Sequence, residues 1–185
     1  MKLKRNITIS SALTTEQFRT RLREHVEPVD DFQLISKLSG AGIVIRTLAP
    51  PKSEAPFFGM QEETIRIAEL RYQKDLTPYQ PIIKIQLTPR ESGCTVSLSL
   101  APHPKLFDLG WLYNATGILL LITSIPLFSQ RLEAGLGALF FAFLLMVYPN
   151  MRAKISFEEA VASSLKRLKQ LDLGWDQSEE QASSQ

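Results

Sequence analysis

From residue 109 to residue 151 only two side chains carry charge, Arg131 and Glu133, and they stand two positions apart. The uncharged runs on either side cover residues 109–130 and 134–151. At 1.5 Å per helical residue they would extend roughly 33 and 27 Å, bracketing the hydrocarbon thickness of a bilayer, about 30 Å. A soluble chain of 185 residues would have to enclose two helices that are apolar all round, and a domain of that size has little interior to spare. The pattern therefore predicts a two-helix transmembrane hairpin over residues 106–151. Ser129-Gln130-Arg131-Leu132-Glu133 is its five-residue connection, short enough to force antiparallel neighbours.

Charge orients the hairpin. The flank before it has Arg90 and Lys105, and the flank after it has Arg152, Lys154, Lys166, Arg167 and Lys169, whereas the connection has only Arg131. Positive residues gather on the cytoplasmic side of spans, so both termini are expected there. Trp111, Tyr113 and Tyr148 fall at the same interface, with Arg152 and Lys154 beside them, as rings with one apolar and one polar end require. The start Met1-Lys2-Leu3-Lys4-Arg5 lacks the apolar run of an export signal, since hydroxyl and amide residues follow it. The expected location is a bacterial cytoplasmic, or other internal, membrane.

Lipid gives apolar helices no hydrophobic reason to associate, so close backbone approach and buried hydrogen bonds must supply it. Ala134, Ala138 and Ala142 form a stripe of small residues, with Gly135 and Gly137 beside it. Gly110, Asn114, Gly117 and Ser124 share a face of the first helix. Either these faces meet inside the hairpin, or one of them docks another membrane protein.

Outside the spans, residues 1–105 read as the first part of a cytoplasmic α+β domain. Residues 2–10 alternate as a half-buried strand. Thr14 with Gln17 forms a capping box opening a helix whose inward stripe is Phe18, Leu22 and Val26, ended by Pro28. Strands are expected over residues 32–38, 43–48, 57–61, 64–72, 81–88 and 95–100, the last two joined by a tight turn at Glu91-Ser92-Gly93. Clean alternation implies an antiparallel sheet with one face covered. Ser156 with Glu159 makes a second capping box, starting an amphipathic helix over residues 152–172 with Phe157, Val161, Leu165, Leu168 and Leu171 on one side. That stripe would cover the sheet or lie on the bilayer, and the sheet suits it better because the helix holds no Trp. Residues 173–185 read as a disordered acidic tail. The fold class is α+β: an antiparallel sheet covered on one face by helices, with the transmembrane hairpin inserted before the C-terminal helix.

The motif order Thr14-Thr15-Glu16-Gln17, Phe58-Gly59, Pro78-x-x-Pro81-Ile82-Ile83 and Leu100-Ala101-Pro102-His103-Pro104 resembles a family of uncharacterised bacterial membrane proteins. Its members show F-x-G, Y-x-N-x-x-x-P and R-L-H-P in sequence before paired spans. This chain departs from that pattern at Lys74 and at Leu100-Ala101-Pro102. The resemblance implies a β-meander domain followed by a two-helix transmembrane hairpin, and it implies no activity.

Chemical motifs are missing. There is no phosphate-binding Gly loop, H-E-x-x-H, C-x-x-C or G-x-S-x-G. The single cysteine, Cys94, excludes an intrachain disulfide. His103, between two prolines, reads as a turn residue before a proton carrier, and Asp108 as a helix cap. Residues 1–171 hold 21 cations against 15 acids, a surplus of +6. The cations form no dense stripe, which favours an anionic lipid surface over nucleic acid. No catalytic, metal or cofactor-binding set emerges. The expected role is a membrane-anchored, non-catalytic interaction or assembly module facing the cytoplasm, with the bilayer and another membrane protein as candidate partners. The alternative is a binder of a lipid or other hydrophobic ligand in a helix-grip-like cavity between sheet and C-terminal helix.

Overall fold

A computed structural model describes residues 3–38, 44–61, 64–71, 79–104 and 108–175. The chain divides into two units: Pro104–Ser156 forms one, and the flanking Lys2–His103 and Phe157–Gln185 together form the other.

The discontinuous unit is mixed α+β. Its elements are β1 (Arg5–Ser11), α1 (Thr15–Arg23), β2 (Val26–Pro28), β3 (Leu34–Leu38), β4 (Val44–Leu48), β5 (Phe57–Gln61), β6 (Ile65–Glu69), β7 (Pro81–Arg90) and β8 (Gly93–Pro102). Six strands form one sheet in the order β1-β8-β7-β6-β5-β2, and β3 pairs with β4 in a separate ribbon. The sheet is not purely antiparallel: β2 lies parallel to β5, with Val26 opposite Phe57. Val26 therefore leaves the helical stripe expected of it. α1 ends at Arg23 with Glu24 as its C-cap, and Val26 is buried as a strand residue. The Thr14–Gln17 capping box is present at the start of that helix, and Phe18 and Leu22 are fully buried.

Register explains the core. Ile7 faces Leu98, Leu98 faces Ile85, and Ile85 faces Ile65, while Leu100, Ile83 and Ile67 form the next row. Opposed residues in neighbouring strands share a face, so these side chains make one continuous apolar surface, and all are at most 2 % exposed. Helical side chains belong to the same core: Phe18 and Leu22 of α1, then Phe157, Val161, Leu165 and Leu168. The opposite face is not bare, contrary to the expectation of one covered face. Phe58, Ala68 and Leu70 pack there with Phe32 and Leu48, and Leu34 leans on the same cluster, so the β3–β4 ribbon roofs that end of the sheet. Gly93 closes the β7–β8 hairpin at φ 107°, a backbone region that side chains with a Cβ rarely enter.

α2 (Asp108–Gln130) and α3 (Leu132–Lys169) are the remaining elements, separated by Arg131 alone rather than by five residues. α3 also runs through Pro149 and Ser156 without a break, so the Ser156–Glu159 box does not start a helix. Capping chemistry takes effect only where N–H groups lack an upstream helical carbonyl, and at Ser156 the preceding turns are already helical. Proline at 149 removes one intrahelical donor. At the next residue, the Asn150 side-chain amide donates to the Met146 carbonyl one turn back, at 2.6 Å.

Residues 173–175, expected to belong to a disordered tail, are packed against the α+β unit. Leu173 is fully buried, and the Ser11 hydroxyl donates to its carbonyl at 2.7 Å. The Ala12 amide donates to the Gly174 carbonyl at 2.9 Å. Trp175 stands edge-on to Phe18 with centroids 5.4 Å apart, and its indole N–H donates to the Leu168 carbonyl at 3.2 Å. One leucine and one tryptophan supply more burial than the polar average of residues 173–185 suggests. The remainder of that segment, 176–185, lies outside the described residues.

Candidate functional site

In the helix unit, the small residues of the two helices meet at one level. A Cβ on Gly117 would collide with the Met146 side chain and lie 3.2 Å from the Ala142 carbonyl. Ala142 is fully buried, which fits a backbone approach that only small residues permit. Asn114 accepts a hydrogen bond from the Asn150 amide at 3.3 Å, linking α2 to α3 through a polar pair. Gly135 lies under the Phe128 ring, and Ser124 is buried with its hydroxyl donated to the Leu121 carbonyl at 2.6 Å. The stripe is not continuous: Ala138 is half-buried, Ala134 is exposed, and nothing lies within 4 Å of where a Gly137 Cβ would be. Tyr148, Arg152 and Lys154 are exposed. Gly110, Trp111 and Tyr113 lie on α2, and their side-chain surroundings fall outside what is described.

The outside of this unit is apolar. Ile118, Leu119, Ile122, Ile125, Phe140 and Phe143 are each more than half exposed. α3 contains a stretch long and apolar enough to cross a bilayer; in α2 the apolar stretch found among the described residues, Asn114–Pro126, is shorter.

In the α+β unit, an acid occupies an apolar place. Along β6 the inward positions are Ile65, Ile67 and Glu69, and Glu69 is 4 % exposed. Its carboxylate collects donors from two elements. Arg71 gives Nε and Nη2 to one oxygen at 3.1 and 2.9 Å. Ser164 donates to that oxygen at 2.9 Å, while Ser163 and Arg167 reach the other at 3.3 Å. Arg167 also donates to the Leu70 carbonyl at 2.9 Å, and Arg71 to the Ala160 carbonyl at 3.4 Å. Helical spacing makes this possible: Ala160, Ser163, Ser164 and Arg167 recur at three and four residues along one side of α3. The Gln80 amide donates to the Glu69 backbone carbonyl and is itself buried. Charge burial is costly unless paired and hydrogen-bonded, and here both conditions hold.

Beside this network opens a cleft of about 410 Å³, lined by Glu69, Leu70, Arg71, Ser163, Lys166, Arg167 and Gln170. Chemically, the arrangement can hold and orient charge. Both guanidiniums and both serines donate to the one carboxylate. No group of three potential metal ligands occurs among the described residues.

Glu69, Arg71, Ser163, Ser164 and Arg167 carry no motif that marks them as a site in the sequence. The readable sign was the acid at an inward strand position of β6. A serine pair and an arginine beside the apolar stripe of the last helix were its counterpart. Against family models, curated proteins and solved structures alike, the chain finds no match.

Proposed function

We propose that this chain is a membrane-anchored, non-catalytic interaction or assembly module. The α2–α3 pair spans the bilayer as a hairpin, and the α+β unit is displayed on the cytoplasmic side. The observation that carries the proposal is the outward row of large apolar side chains on a pair whose inner faces are already engaged. Each such side chain gains roughly 1.5–3 kcal/mol on leaving water, and a contiguous apolar surface of that kind marks a membrane or protein contact. α2 has 23 residues, about 34 Å of helix, and reaches across the hydrocarbon. The motif order resembling bacterial membrane proteins agrees with this reading.

The hydrophobic-ligand alternative gains no support from the interior. A side chain lining a hollow wide enough for water would keep accessible surface, yet Phe18, Leu22, Ile67, Ile83, Leu98 and Leu100 keep at most 1 %. The space between sheet and helix is filled by the chain itself, as in a close-packed core.

Alkaline washing of membranes from expressing bacteria tests the anchor. The full chain should stay in the pellet and enter solution only with detergent. Release by the wash alone would end the proposal.

A further inference from the structure

We propose that the cleft beside Glu69 is a binding site for a dianionic phosphate group. Three cations line it, Arg71, Lys166 and Arg167, against one carboxylate, Glu69. Two positive charges therefore remain after the internal pairs are made. Glu69 does not quench the arginines so much as aim them. Arg71 spends Nε and Nη2 on Glu69, and Arg167 spends Nη1, so among the described residues Nη1 of Arg71 and Nε and Nη2 of Arg167 make no hydrogen bond.

A purely structural role explains this poorly. A buried arginine–glutamate–arginine set is usually no more stabilising than apolar residues of the same volume, and here it is built where the surface opens rather than where it closes. Arg71 is held at 11 % exposure by Glu69, whereas Arg167 reaches 41 %. One guanidinium thus forms a fixed wall and the other an open edge. Guanidinium forks match oxyanions in geometry, and a surplus of two charges fits a dianion better than a single carboxylate. Donors approach from two directions, from the end of β6 and from the helix carrying Ser163, Lys166, Arg167 and Gln170, which suits a tetrahedral group. The volume admits a phosphate with a small organic substituent. Either a soluble phosphate ester or a phospholipid headgroup presents this chemistry.

The test uses the full chain in neutral detergent, titrated with inorganic phosphate and followed by calorimetry, and in phosphatidylcholine nanodiscs with and without phosphatidic acid, followed by thermal unfolding. Lys166→Gln is the informative variant, because Lys166 is exposed and makes no bond to Glu69. Lys169→Gln, outside the cleft, is the control of equal charge. Lys166→Gln should weaken binding by roughly tenfold or more, the scale of one charge-assisted hydrogen bond, and Lys169→Gln by much less. Binding of free phosphate assigns the soluble source, and a response to phosphatidic acid alone assigns the headgroup; each supports the site. No response in either arm, or equal losses in the two variants, would overturn it.

Discussion

Ile118, Leu119, Ile122, Phe140 and Phe143 of the helix pair keep more than half their surface exposed, whereas Phe18, Ile67, Ile83, Val161 and Leu100 of the α+β unit keep none. Both units are rich in large apolar residues, and they place them in opposite directions. The sheet unit turns them inward because alternation gives strands such as β7 and β8 a wetter face to trade against a dry one. The helix pair has no wet face to offer. Its interior is reserved for Gly117, Ala142 and an Asn114–Asn150 hydrogen bond, and its bulk points out. The difference teaches that hydrophobicity alone does not say where a core is; the location of small and polar residues does. In the sheet unit the buried charge of Glu69 is an exception held by many bonds. In the helix pair the inside is where the amides meet.

The sharpest way to break this contrast is to put a charge inside the unit that is dry at its centre. Leu168→Asp should unfold the α+β unit, since an unpaired buried carboxylate costs several kcal/mol against a total stability of about 5–15 kcal/mol. Near-ultraviolet circular dichroism of the full chain should lose its tertiary signal while the protein remains in the membrane fraction. An unchanged spectrum would mean that the second half of α3 is not part of that core. Next in size, Glu69→Ala should cost about 3–5 kcal/mol by leaving the largely buried Arg71 without its counter-charge, the usual scale for breaking a buried pair from one side. Denaturant midpoints would check it, and a loss under 1 kcal/mol would mean the network is not closed as described. A smaller effect is expected in the helix pair. Ala142→Leu should destabilise it by about 1–3 kcal/mol through overpacking against Gly117, while Ala134→Leu, at an exposed position, should change little. Equal responses in a detergent thermal melt would place the contact elsewhere.

How much of this was readable in the chain varies with the kind of signal. β7 and β8 were legible because ten-residue strands repeat their alternation several times, and the Thr14–Gln17 box because local chemistry alone makes it. β2 was not, since three residues ending in Pro28 carry no periodicity, and its parallel pairing depends on where β5 lies. The Ser156–Glu159 box misled because the same four residues occur inside helices and at their starts. The packing of Leu173 and Trp175 was hidden by an acidic, polar neighbourhood. The β3–β4 roof depends on Phe32 and Leu48 meeting Phe58 across many intervening residues, which spacing cannot show. Glu69 is the instructive case: its place on the inward side of β6 was visible, but the arginine that completes it lies 98 residues away.

The central claim is that the helix pair lies in a bilayer with both termini on the cytoplasmic side, and one labelling experiment addresses it most directly. Ser129→Cys places a thiol at the turn between α2 and α3. The native Cys94 does not interfere, because it is fully buried and burial pushes its thiol pKa up, leaving it protonated and unreactive at neutral pH. In intact spheroplasts a membrane-impermeant maleimide should label Ser129→Cys, and a cysteine appended after Gln185 should label only once the membrane is opened. Labelling of the turn only after permeabilisation, or equal labelling of both sites in intact cells, would contradict the account.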